Sequence, residues 1–143
     1  MKRLVLGAAL LVLLAVAAFY GMRMMAPPPA ELDVSRDKPS AAGLYAVAIA
    51  PEAEPVQQGA LHNWIVTLRR PDGALVEDAS IGVDGGMPQH GHGLPTAPQA
   101  TPHMGEGRYR IEGVRFNMGG WWVLKLAISS PAGDDAVEFN IVL

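Results

Sequence analysis

The side chains with the most chemistry to offer lie between Gly82 and Gly107 and just beyond. His90, His92 and His103 are three of the four histidines of the chain, and Met87 and Met104 share the segment with them. Met118 follows, immediately before Gly119-Gly120-Trp121-Trp122. Imidazole nitrogen and thioether sulfur together suit copper, because soft sulfur favours Cu(I) and imidazole accepts either oxidation state. Zinc would ordinarily add a thiolate or a carboxylate. The chain has no cysteine, and Glu106 is the carboxylate the loop offers beside its histidines. His90 and His92 are one residue apart, so an extended backbone points both the same way. Gly91 and Gly93 leave that backbone free to bend around an ion. The competing reading makes Met87 and Met118 core fillers and the histidines plain loop residues. On residue types alone, both readings stand.

Such a loop needs a scaffold, and the flanking sequence supplies one. Residues 82–107 hold seven glycines and four prolines, and a loop of that length is usually functional or disordered. On both sides, apolar residues recur with a period of two. Tyr45, Val47 and Ile49 alternate with smaller residues; Trp64, Val66 and Leu68 alternate with Asn63, Thr67 and Arg69. Ile81 and Val83, Tyr109 and Ile111, Trp122 to Ile128, and Val137 to Leu143 repeat the pattern. Half-buried strands read this way. Pro71-Asp72-Gly73 and Ser130-Pro131-Ala132-Gly133-Asp134 look like hairpin connections between them.

Six or seven such strands over residues 43–143 predict an all-β domain, an immunoglobulin-like antiparallel β-sandwich. Trp64, Ile81, Tyr109, Leu124 and Phe139 are its expected interior. Trp121 and Trp122 fall on opposite faces of one strand, so one should anchor the core and the other face outward. His62 reads as a rim histidine with a structural role, and Asp134-Asp135 as a solvated charge pair in a turn.

Residues 1–22 differ in kind. Leu4 to Met22 is a 19-residue stretch without a charge, preceded by Met1-Lys2-Arg3. As a helix it would extend about 28 Å, close to the thickness of the hydrocarbon layer of a bilayer. The positive-inside rule keeps Lys2 and Arg3 in the cytoplasm and sends the rest across. This predicts one transmembrane helix, with the domain on the extracytoplasmic (periplasmic) side of the cytoplasmic membrane. A signal peptide cleaved at Ala15-Val16-Ala17 is the alternative, and it gives the same compartment. Residues 23–42, with Ala26-Pro27-Pro28-Pro29-Ala30, read as a proline-rich linker that stays outside the core.

Composition removes several function classes. Residues 26–143 carry eight basic and fourteen acidic side chains, a net charge of −6, which makes nucleic acid a poor partner. Without cysteine there can be no disulfide, lipidated cysteine or thiolate site. The order of residues contains no Ser/His/Asp set, HExxH, phosphate-binding loop or dinucleotide fingerprint, so no catalytic residue and no small-molecule substrate is expected.

Read in order, Asn63-Trp64 to Leu68, Pro71-Asp72-Gly73, Met87-Pro88-Gln89-His90-Gly91-His92-Gly93, Gly107-Arg108-Tyr109 and Phe116-Asn117-Met118-Gly119-Gly120-Trp121 resemble the YtkA-like/FixH family. Its members look like short membrane-anchored extracytoplasmic domains of immunoglobulin-like fold, some labelled auxin-binding. FixH-type members are associated with assembly of copper-containing terminal oxidases. The resemblance therefore implies copper as the cofactor, a copper-handling or oxidase-assembly partner, and Met87, His90, His92 and Met118 as the site. His103 joins them by its proximity in the loop. The alternative function is a non-metal interaction module whose loop and exposed Trp dock on a membrane-protein partner.

Overall fold

A computed structural model describes residues 2–24 and 27–143, with side chains described for residues 7–22 of the first segment and throughout the second. Met1, Met25 and Ala26 lie outside the described residues. So do the side chains of Lys2 and Arg3, on which the expected membrane orientation rests, and that of Arg23.

The apolar N-terminus forms helix α1 (Lys2–Met24). Leu10, Leu11, Val12, Leu13, Phe19 and Tyr20 are all more than half exposed, and among the described side chains, residues 7–22, none is buried against the rest of the chain. Among the described residues no helix is long and apolar enough to cross a membrane; residues 7–22 alone fall short of the roughly 20 that a bilayer needs.

Nine strands follow: β1 (Asp37–Pro39), β2 (Ala46–Pro51), β3 (Leu61–Arg69), β4 (Ser80–Met87), β5 (His92–Gly93), β6 (Gln99–Ala100), β7 (Arg108–Arg115), β8 (Trp121–Ser130) and β9 (Gly133–Val142). They form two sheets, ordered β1-β2-β3-β7-β6 and β5-β4-β8-β9. Every pairing is antiparallel. The all-β sandwich expected from the alternation is the fold observed.

Burial follows the sequence period. From Leu61 to Arg69 every second residue is buried, and the same alternation runs along β9 and along β7 as far as Ile111, where a bulge in the β3–β7 pairing turns Val114 inward instead of Gly113. One face of each sheet is buried while the other meets water, which is what alternating strands allow. Trp64, Ile81, Tyr109, Leu124 and Phe139 all lie in the core. Trp122 is fully buried; Trp121 is partly exposed and donates its indole N–H to Asn140 Oδ1 at 2.9 Å.

Two expectations need correction. The domain begins before residue 43, because β1 lies inside the predicted linker and pairs with β2 from Asp37↔Ala48 to Pro39↔Ala46. Ser40 is buried beside it and accepts the Tyr45 N–H through Oγ at 2.9 Å. Asp135, in turn, is not a solvated turn charge. Its carboxylate accepts the Ser40 hydroxyl at 2.6 Å and the N–H groups of Ala42 and Leu44 at 3.0 and 3.2 Å. The Ser40 hydrogen bond, seconded by those backbone donors, lowers its pKa to about 2. Sequence alternation could not reveal this, since the partners lie more than 90 residues apart.

Candidate metal site

β4 ends at Met87, and Pro88 removes the next backbone donor. The chain then reverses: the Met87 carbonyl accepts the N–H groups of His90 (3.1 Å) and Gly91 (2.9 Å). Gly91 takes a φ of 68°, in the left-handed region where glycine is favoured. After this turn His92 pairs with Met87 and Gly93 with Gly86. Gly86 permits that close return, because a Cβ on it would collide with the His92 carbonyl.

The register across the sheet sets what His92 meets. Gly86 is paired with Val123 on β8, so Met87 faces Trp122 one step further along. Directly opposite residues of antiparallel strands share a face. His92, Met87 and Trp122 therefore form a row across three strands. Met87 (1% exposed) and Trp122 (0%) are its buried members, and His92 is its exposed end.

The His92 ring stands edge-on to the Trp122 indole, centroids 5.6 Å apart at 67°. The His90 ring lies 6.0 Å from that of His92. His92 Nδ1 is 2.9 Å from the Gly93 carbonyl. A carbonyl only accepts, so Nδ1 carries a proton, and in the neutral ring Nε2 is the nitrogen that holds the lone pair. Metal-bound histidines are commonly fixed through such a bond from the other ring nitrogen. With metal–nitrogen distances of about 2.0–2.1 Å, two rings sharing an ion have centroids no more than about 6 Å apart. The His90–His92 pair, at 6.0 Å, lies at the outer limit of that range.

Met118 lies in the connection from β7 to β8, which joins the two sheets. The buried Trp122 indole N–H donates to the Met118 carbonyl at 3.0 Å. Gly120 and Leu143 exchange backbone hydrogen bonds at 3.0 and 3.1 Å, closing the turn. That turn packs tightly on Met87, since a Cβ on Gly120 would lie 3.3 Å from Met87 Cε. Met118 itself is 36% exposed. Of the two candidate thioethers, Met118 meets solvent and Met87 forms the floor beneath the histidines. For Met87 the core-filling reading describes its position.

His103 stands apart. The β6–β7 connection is closed by Thr101 N–H to the Arg110 carbonyl and Met104 N–H to the Arg108 carbonyl, at 2.7 and 2.8 Å. His103 stacks on Tyr109 there, centroids 5.4 Å apart. Its Nε2 is 3.8 Å from Glu77 and has no hydrogen-bond partner among the described residues. Tyr109 begins β7, whereas Phe116 and Met118 follow its other end, a separation of about 23 Å at 3.3 Å per residue. The expectation that His103 joins the other ligands is thus corrected: a whole strand intervenes. Tyr109 is a structural residue, its hydroxyl accepting the Ala79 N–H and donating to the Val76 carbonyl, both at 2.9 Å. Burial raises its pKa. His62 is also structural, buried with Nε2 2.9 Å from the Gln57 carbonyl.

Among the described residues no three His, Cys, Asp or Glu side chains gather as metal ligands. The donors at this end are two imidazoles, with the Met118 thioether on the turn whose carbonyl holds the Trp122 indole. Such a set lacks the four ligands of a structural zinc site and suits a soft ion with few ligands. The sequence pattern did not single out Trp122 as the shared support, because its partners come from three separate strands and a turn.

A model of the YtkA-like family matches residues 40–127. No curated protein and no solved structure matches the chain. The matched span runs from Ser40 through the Met87–Gly93 turn and Met118 into β8 and covers more than half of the sequence, so the chain belongs to the YtkA-like family.

Proposed function

We propose that this protein is a membrane-anchored extracytoplasmic domain that binds Cu(I) through His90, His92 and Met118, over a floor made by Met87 and Trp122. The observation that carries this reading is the His90–His92 pair, 6.0 Å apart, with His92 Nδ1 tied to a carbonyl and Nε2 left to coordinate. Thioether and imidazole are donors suited to Cu(I), and neither requires deprotonation of a thiol. Copper when bound would be held at the surface; the chain's own part is to fix the rings and shield one side with Trp122. The resemblance to FixH-type proteins favours a copper-handling or oxidase-assembly partner. Anchoring is supported by the 19 uncharged residues from Leu4 to Met22 and by the exposure of every described side chain of α1, residues 7–22.

Competition for Cu(I) against a chromophoric chelator tests the reading on the full chain in detergent. Sub-micromolar affinity that disappears in His90→Ala/His92→Ala is the expected result. Affinity weaker than about 1 μM in the wild type would overturn it. The second reading, a docking module without metal, is favoured by one feature. An open hollow of about 350 Å³, floored by Gly85, Gly86 and Gly93 and flanked by Asp84 and Lys125, lies beside the same turn.

A further inference from the structure

The segment after the helix is not a free tether, and its course bears on where the site sits. Gln89, in the turn between Met87 and His90, donates its side-chain N–H to the Pro27 carbonyl at 3.0 Å. Six residues later the Asp33 carbonyl accepts the Asn140 side-chain N–H at 2.7 Å. Lys38 adds an ion pair to Asp33 at 3.0 Å. Both ends of the stretch 27–33 are therefore pinned to one end of the sandwich, where β4 and β9 finish and β8 begins. Pro27-Pro28-Pro29 stiffens the strap between the pins.

Of the six large apolar residues exposed within residues 27–143, four lie at the same end, Leu75 and Met104 being at the other. Leu61 (67%) opens β3 opposite Arg115, Val142 (52%) closes β9, Val34 (55%) adjoins the Asp33 pin, and Met118 follows β7. Large exposed apolar groups on one end of a domain mark a surface that is covered in use. Two residues, Met25 and Ala26, separate Met24, the last of α1, from Pro27, and the three steps reach at most about 11 Å. A domain held this close, by this end, has little choice of orientation.

We propose that the end of the sandwich bearing His90, His92 and Met118 rests on the lipid surface from which α1 emerges. This rests on the anchored reading above and extends it. Copper would be exchanged at the bilayer surface, with membrane-embedded sites, and the far end at the β8–β9 turn would face the aqueous compartment. The site end and that turn are separated by the ten residues of β8, about 33 Å.

The absence of cysteine makes the test direct, since one introduced thiol is unique. The full chain carrying Asn117→Cys (site end) or Ala132→Cys (far turn) is labelled with a fluorophore and reconstituted in phosphatidylcholine vesicles containing a headgroup-linked quencher. No metal is added, so the outcome is independent of the copper titration. Quenching several-fold stronger at position 117 than at 132 is expected. In Gln89→Ala/Asn140→Ala, which removes both pins, the two positions should approach equal quenching. Equal or reversed quenching in the pinned protein overturns the proposal, as does a full chain that stays in the aqueous phase. In either case a copper affinity lost with His90 and His92 would leave the metal reading standing.

Discussion

His92 stands edge-on to Trp122 with ring centroids 5.6 Å apart, and the same indole donates its N–H to the Met118 carbonyl at 3.0 Å. One buried tryptophan thus meets the His92 ring of β5 and holds the backbone of the β7–β8 turn that carries Met118. It does so from the core, where Phe116 packs against its other side at 5.4 Å. The site is therefore built on the rigid part of the domain, although its ligands sit in turns.

The two histidines should matter for metal and little for folding. Cu(I) that binds only the folded state raises the melting temperature in proportion to its excess over Kd. In His90→Ala/His92→Ala that rise should vanish while the metal-free melting curve stays nearly the same, because His92 is exposed and His90 half-buried. Thermal melts with and without Cu(I) check this; a rise of wild-type size in the variant would place the site elsewhere.

The two methionines should separate. Met87→Ala empties a buried position and should cost about 2–5 kcal/mol. Met118→Ala alters an exposed side chain and should stay within about 0.5 kcal/mol, while weakening Cu(I) binding. Urea denaturation paired with chelator competition measures both. A Met118→Ala variant that keeps full affinity would remove Met118 from the ligand set.

Trp122→Phe keeps an aromatic core residue but loses the donor to the Met118 carbonyl. Copper affinity should fall in this variant even at temperatures where far-UV circular dichroism shows the fold intact. Unchanged affinity would mean that the indole hydrogen bond does not position Met118.

Acid should release the β1–β2 connection from β9. The folded-state pKa of Asp135 is depressed from 3.8 to about 2 by the Ser40 hydroxyl and the backbone N–H groups of Ala42, Ala136 and Leu44. A depressed carboxyl contributes stability above its unfolded pKa and loses it as pH falls through its folded pKa. The contribution should thus be full above about pH 4 and gone below about pH 2. Melts of wild type and Asp135→Ala across that range should converge as pH drops; a constant difference would contradict the assignment.

Leu124→Ala checks the fold itself. Leu124 is fully buried in the middle of β8, and its truncation should cost about 2–5 kcal/mol in chemical denaturation. A loss below about 0.5 kcal/mol is the size of a surface change and would contradict the core.

Strand identity and inward faces were legible in the sequence because they are local properties. Side chains two apart in a strand share a face whatever the strand pairs with, so Trp64, Ile81, Tyr109, Leu124 and Phe139 declared themselves by alternation. The segment 82–107 was legible only as a loop: that β4 runs on to Met87, and that a tight turn rather than an extended run separates His90 from His92, is decided by the pairing of β5 with β4. What needed tertiary structure was everything set by register. His103 and Met118 lie fifteen residues apart with β7 between them, and pairing of β7 sends them to opposite ends of the domain. Met87 and Met118 look alike as residue types, yet only Met87 is carried inward, opposite Trp122. Asp135 and Asn140 read as surface polar residues until Ser40 and Asp33 are brought against them. Side-chain type and spacing follow from the order of residues, whereas the distance between remote segments follows from which strands exchange hydrogen bonds, a cooperative outcome of the whole core.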